Sequence, residues 1–313
     1  MRKILHYLKQ HLKEDFNPVI YTSIGIFLSI CILLNFTFDF EDRFLDTRPG
    51  IQRFFFFFIT HAIAYYVPVG LYTLIKKESA LHSMGFWTKS SFALVLLSLD
   101  RSNLILMPMV NEAMQPQLQF YASKITNNLS GAFFLIMPFL FFYRMFESNQ
   151  GHRYGLNGKK FNSTPYFLIL LFMIPVIAFA SFLPSFIDQY PMYLSTNAHK
   201  YWGIPEWITV AGYEFSYGIN FISIEFFYRG LMVIGMTSFL GRSSVLCMTS
   251  LYCFLHFGKP MGEAISSIFG GFTLGVIAYE TRTIWGGVIA HIGIAWMMEI
   301  AGYVQSLFYS KPL

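Results

Sequence analysis

The chain has 313 residues, of which 55% are hydrophobic, 19% aromatic and 12% charged, with a formal net charge of +5. A charged share about half that of an ordinary soluble domain excludes most soluble enzymes, and the dominance of apolar residues excludes disorder. The positive balance is modest and dispersed, which excludes a nucleic-acid patch. The solvent for most of this chain is therefore lipid, and its 36 Phe and 19 Tyr suit a lipid-facing and interfacial surface.

Residues 1–18 open the chain as a basic amphipathic segment carrying Arg2, Lys3, Lys9 and Lys13. The apolar stretch that follows runs too long for a signal-peptide core. An apolar run of about 20 residues spans a bilayer as a helix, and nine candidates follow one another: 19–38, 54–75, 91–110, 131–145, 166–183, 208–236, 245–257, 264–279 and 284–308. The third is interrupted by Asp100 and Arg101. The expected fold is all-α, a polytopic transmembrane helix bundle of about eight to nine spans.

Lys and Arg in short connections mark the cytoplasmic side. The amino terminus, the connection with Lys76, Lys77 and Lys89, and the stretch from Arg144 to Lys160 are basic, whereas Asp39, Glu41, Asp42 and Asp46 offset the arginines of 39–53. This alternation predicts an integral, multi-pass membrane protein with a cytoplasmic amino terminus. One membrane domain accounts for the chain, with accessory transmembrane helices over 19–200 and a distinct core over 201–313. In that core Ser267, Gly271 and Gly275 recur every fourth residue, the pattern that lets membrane helices approach closely. Cys31, Cys247 and Cys253 lie in apolar segments without disulfide or metal spacing.

Ionisable groups at membrane depth are costly and usually face the bundle interior. The candidates are His61, Asp100 with Arg101, Glu214, Glu225 with Arg229, His256, and His291 with Glu299. At about 100° per residue Glu225 and Arg229 share one helix face, whereas Glu214 lies about 16 Å from Glu225 along the axis, too far to act on the same water. Glu225 paired with Arg229 reads equally as an internal ion pair, and each histidine alone reads as a packing residue. A carboxylate and two imidazoles in three late helices can together hold and deprotonate a water. Two His and one Glu are also the ligand set of many zinc sites. The sequence requires no cofactor; a divalent metal such as zinc, if held by Glu225, His256 and His291, has no HExxH motif behind it.

Glu225-Phe226-Phe227-Tyr228-Arg229-Gly230, followed by His256 and then His291 in successive spans, resembles the CPBP family, the intramembrane CAAX-type prenyl endopeptidases and bacteriocin-processing enzymes also called Abi. The resemblance covers about the last 110 residues. The family pattern is a Glu pair with Arg four residues after the second Glu, an aromatic four residues before a His, and a His followed four residues later by Asn or a similar polar residue. On this pattern Glu225 matches the second Glu, Arg229 the Arg, Tyr252 and His256 the middle block, and His291 the last His. Ile224 stands in place of the first Glu and Ala295 in place of the Asn. The resemblance implies that a Glu and the middle His activate water while the last His and the Asn stabilise the oxyanion.

Two functions follow. The first is an intramembrane endopeptidase that hydrolyses a peptide bond near the membrane surface, with Glu225 as base, His256 orienting the water, His291 polarising the carbonyl and Arg229 positioning Glu225. The second is an inactive scaffold, immunity or assembly protein of the same fold, to which Ile224 and Ala295 point. Supporting residues are Tyr252, Lys259, Glu263 and Glu299. Glu263 and Glu299 are possible replacement carboxylates; Lys259, one turn before Glu263, either pairs with it or binds a substrate carboxylate. The expected partners are membrane lipid and a membrane-associated or lipidated peptide or protein, and no nucleic acid.

Overall fold

Apolar length and glycine placement account for the architecture seen in the computed structural model, which describes residues 2–77, 80–157, 161–193 and 197–308. Lys159 and Lys160 of the basic stretch therefore lie outside the described residues. Among the described residues seven helices are long and apolar enough to cross a membrane: Pro18–Phe38, Gly50–Lys76, Met84–Ala113, Pro116–Glu147, Glu206–Phe254, Met261–Thr281 and Trp285–Ser306. Thr164–Ala180 is apolar but shorter, at 17 residues. The 49-residue stretch Glu206–Phe254 is two limbs and not one span. Gly241, at φ +53°, breaks it, Tyr228 packs on Tyr252 with ring centroids 5.0 Å apart, and Val233 and Val245 meet the same Gly275, so the limbs run antiparallel. With the short helix and the second limb counted separately, each apolar segment read from the sequence coincides with a helix. The Asp100 segment is one of the seven long enough to cross.

One element departs from the expectation. The fourth helical segment begins at Pro116, fifteen residues before the apolar run starts at Gly131. Pro at the first helical position sets φ for entry, and Gln117, Gln119, Lys124, Asn127 and Asn128 make Pro116–Gly131 too polar to read as a span. It packs along Glu206–Glu225 through part of that polar surface, with Gln117 and Asn127 left exposed: the buried Asn128 donates from Nδ2 to Ser216 Oγ at 3.0 Å and the Tyr121 hydroxyl to the Thr209 carbonyl at 3.0 Å.

The small-residue stripe performs as expected. A Cβ on Gly271 would stand 2.8 Å from Tyr252 and one on Gly275 2.7 Å from Met248, so Met261–Thr281 lies directly against Ser244–Phe254. Buried polar contacts tie the accessory helices to this core. Lys89 donates to both Glu147 oxygens, at 2.7 and 2.9 Å, and to the Gly235 carbonyl at 2.6 Å. The buried Asn35 donates to the Phe257 carbonyl at 3.0 Å and accepts the Glu41 N–H at 3.1 Å. The amphipathic helix Arg2–Asp15 buries Ile4, His11 and Asp15. Its Asp15 is held by Lys76 at 2.6 Å and by the hydroxyl of Tyr72 at 2.8 Å.

Candidate active site

Three of the late helical elements supply the three sequence blocks, with Met261–Thr281 lying in sequence between the last two. Glu225 ends the helix Glu206–Glu225, and from Phe226 to Val233 the chain unwinds into a π-helix, a distortion found mostly at functional sites. Glu225 and Arg229 still meet across it: Arg229 Nη1 stands 2.9 Å from Glu225 Oε1, with both side chains essentially inaccessible. The guanidinium also lies over the Tyr252 ring, 4.2 Å from its centroid, a cation–π contact that helps retain a buried charge. His291 Nδ1 donates to the same Glu225 oxygen at 3.0 Å, and the Tyr252 hydroxyl donates to His291 Nε2 at 3.2 Å. An ionised carboxylate only accepts, which assigns the proton to His291 Nδ1 and leaves Nε2 to take the tyrosine hydrogen bond.

The second carboxylate oxygen of Glu225 turns towards a neighbouring helix. It is buried without a hydrogen-bond partner and lies against Gly287, where a Cβ would collide with it. Gly287 belongs to Trp285–Ser306, the helix that carries His291. It is a site residue the sequence reading missed: only the absence of its side chain admits the Glu225 carboxylate, and nothing in the local pattern Trp285-Gly286-Gly287 reports what approaches from another helix.

A cavity of about 310 Å³ opens beside this group. His256, His291, Tyr252 and Lys259 line it, as do Ile224, Asp100, Arg101, Lys124, Asn127, Asn128 and Asn220. Glu225, Arg229, Glu263 and Glu299 are not on its wall. Ile224, at the position of the family's first Glu, presents a hydrocarbon to the cavity. His256 Nδ1 donates to the Tyr252 carbonyl at 3.0 Å, which fixes the neutral tautomer with an accepting Nε2 lone pair. Ala295 packs with Tyr213, Tyr217 and Phe221 and is buried.

The replacement carboxylates are occupied elsewhere. Glu299 accepts the backbone N–H of Met192 at 2.9 and 3.0 Å and of Tyr193 at 3.4 Å. Glu263 accepts from the Tyr190 hydroxyl at 3.1 Å. Glu263 and Lys259 do not form the ion pair that their one-turn spacing offered; Lys259 Nζ reaches Met192 Sδ at 3.1 Å instead. No group of three His, Cys, Asp or Glu among the described residues could hold a metal ion. Glu225, His256 and His291 therefore do not fit a zinc ligand set: both nitrogens of His291 have partners and Glu225 faces away from the cavity, which leaves only His256 Nε2 as an open donor.

Outside this cluster, His61 is a packing residue, its Nδ1 donating to Ser98 Oγ at 2.9 Å. Arg101 pairs with Glu41 at 2.6 Å and Asp100 accepts from Ser130. The sequence reading gave the Asp100–Arg101 pair no role, yet both line the cavity, brought there by packing across the bundle that no local spacing encodes.

A multi-pass helical membrane protein with a polar, two-histidine cavity between its late helices is the class that fold and site define. Residues 207–297 match the family model described as type II CAAX prenyl endopeptidase Rce1-like, a match consistent with the CPBP family that the three sequence blocks resemble. No curated protein and no solved structure matches the chain.

Proposed function

We propose that this CPBP-type membrane protein takes a membrane-tethered peptide into the His256–His291 cavity and binds it without hydrolysing it. The observation that carries the reading is the enclosure of Glu225. One carboxylate oxygen is shared by Arg229 and His291, the other lies against Gly287, and neither borders the cavity. Water activation by a Glu–His pair needs a carboxylate oxygen and an imidazole within about 3 Å of one water. Ile224 offers none. In this reading Glu225, Arg229 and Tyr252 hold the His291 ring in place, and the amino terminus lies on the cytoplasmic side.

One observation favours hydrolysis. The His256 Nε2 lone pair is available at the cavity, and a lone imidazole can take a proton from water. The two readings separate when the purified full chain is incubated with an acyl-anchored peptide library and cleavage is followed by mass spectrometry. The binding reading expects no cleavage above that of His256→Ala, and gain of cleavage on Ile224→Glu combined with Ala295→Asn. Cleavage by the unaltered chain that His256→Ala abolishes would establish the hydrolytic reading with His256 as base.

A further inference from the structure

The two ends of the bundle differ in charge. At one end the basic helix Arg2–Asp15 meets the ends of later helices: Arg242 pairs with Glu14 at 2.6 Å and with Glu280, and Asp15 pairs with Lys76 at 2.6 Å. Arg2, Lys3, Lys9, Lys13 and Lys77 add to the positive charge there. At the opposite end Arg53 pairs with Asp46 and Arg101 with Glu41, both at 2.6 Å, and Asn35 holds the Phe257 carbonyl. Met192 belongs to this second end, where Lys259 at 3.1 Å and the Tyr217 hydroxyl at 3.4 Å both donate to its thioether, a weak acceptor. The arginines of 39–53 are offset by Asp39, Glu41, Asp42 and Asp46, and Lys200 and Lys259 by Asp188, Glu206 and Glu263. Lys and Arg gather on the cytoplasmic side of a membrane, which makes the end with Arg2–Asp15 the cytoplasmic one.

The cavity belongs to the second end. Asp46, Arg53, Asn103 and Lys259 line it with His256 and His291, and none of the first-end residues named above is on its wall. Asp46 is exposed, which sets it at the mouth. Towards the first end stands the π-helix Phe226–Val233, every residue of which is buried. Behind it a strap closes the bundle. Tyr154 is buried edge-on against Phe226 with ring centroids 5.7 Å apart, and a Cβ on Gly230 would stand 2.5 Å from the Tyr154 carbonyl oxygen. The Tyr154 hydroxyl donates to Glu147 Oε2 at 2.6 Å beside Lys89, and the Ile284 N–H donates to the Gly155 carbonyl at 3.1 Å. Arg153, Tyr154 and Gly155 all have positive φ, a left-handed run that non-glycine residues keep only where the surrounding packing imposes it.

We propose that the His256–His291 cavity is open to the extracytoplasmic side and closed to the cytoplasm, so that the peptide it binds is one anchored at the outer face of the membrane. The proposal rests on the peptide-binding reading and the cytoplasmic amino terminus given above, and adds the side from which the peptide comes. A polar backbone crosses hydrocarbon only at high cost, so the open end decides which peptides reach His256. A peptide on the cytoplasmic face would first have to displace Tyr154 from its buried hydrogen bond and from the groove over Gly230.

The test uses the full chain in intact cells, a membrane-impermeant maleimide and single added cysteines. Cys31→Ser removes the half-buried native thiol, while Cys247 and Cys253 are buried. Asn127→Cys, an exposed position on the cavity wall, should label in intact cells, and Lys13→Cys on the amino-terminal helix only after the membrane is opened. Thr47→Cys, exposed in the loop beside Asp46, replaces Asn127→Cys if that variant fails to fold and should label from outside as well. An acyl-anchored peptide library added outside should slow labelling of Asn127→Cys several-fold, and the same library on the cytoplasmic face of inverted vesicles should not. Labelling of both cysteines only after opening, or protection from the cytoplasmic face, would overturn the outward opening and leave the amino terminus where it is. Lys13→Cys labelled in intact cells with Asn127→Cys hidden would overturn the cytoplasmic amino terminus and the proposal with it. Labelling of both in intact cells would overturn the placing of the two at opposite ends. Outward labelling of Asn127→Cys that no peptide slows from either face would overturn peptide binding and leave the opening standing.

Discussion

Two walls of the same cavity differ in how their charges are satisfied. Behind the His291 wall charge stands against charge: Arg229 lies beside Glu225, Glu225 accepts from His291, and His291 accepts from Tyr252, while the guanidinium nitrogens and the second Glu225 oxygen, buried away from the cavity, make no hydrogen bond. At the Lys259 wall the donors are strong and the acceptor is a thioether. A closed network of this kind fixes geometry, whereas donors left on a weak acceptor favour a ligand. The family's chemistry is expected at the first wall, yet the hydrogen-bonding capacity that faces the cavity lies at the second and on His256.

The largest effect should come from breaking the closed wall. Arg229→Met leaves Glu225 buried without its cation and should destabilise the protein by about 3–5 kcal/mol, read as a loss of thermal stability in detergent. The double variant Glu225→Gln, Arg229→Met should recover most of that loss. Gly287→Ala puts a methyl group against the Glu225 carboxylate and should destabilise by about 1–3 kcal/mol. Shortening the carboxylate in that background, with Glu225→Ala, should relieve part of it. If Gly287→Ala is neutral, the enclosure of Glu225 is wrong and so is the contrast between the walls.

Asn35→Leu strands the Phe257 carbonyl and the Glu41 N–H and should destabilise by about 1–2 kcal/mol, with altered accessibility of His256 to alkylation as the second readout. The smallest effect concerns the amino-terminal helix. Burial holds the His11 imidazole below its ordinary range, while Asp15 opposes the shift. A histidine whose pKa is lowered on folding contributes full stability above about 6.5, and that contribution is lost as pH falls from there towards the folded value. Stability should therefore drop on mild acidification, and His11→Phe should flatten the profile.

The spans were legible in the sequence because run length and bilayer thickness are the same physical constraint. The order of Glu225, His256 and His291 likewise identified the cavity-bearing helices. The direction in which Glu225 points was not legible. It depends on the π-helical unwinding from Phe226 and on the missing side chain of Gly287 on a different helix. The regular 100° geometry assumed for Glu225 and Arg229 therefore reached the right pair for an incomplete reason. Of the two roles open to Lys259, the ion pair with Glu263 does not form, because Met192, from a connection distant in sequence, takes its ammonium. Pro116–Gly131 escaped notice because its many polar residues score as a loop on hydropathy alone, whereas its hydrogen bonds to Glu206–Glu225 join residues 88 apart in sequence.

Asn35 sits near the end of the first span, yet its amide grips the carbonyl of the residue after His256. That single hydrogen bond makes the first span a lever on the His256 turn. Helices tilt to match the local hydrocarbon thickness, so a change in the tilt of the first span is expected to be felt at the His256 turn, and a core severed from the accessory half would lose that link.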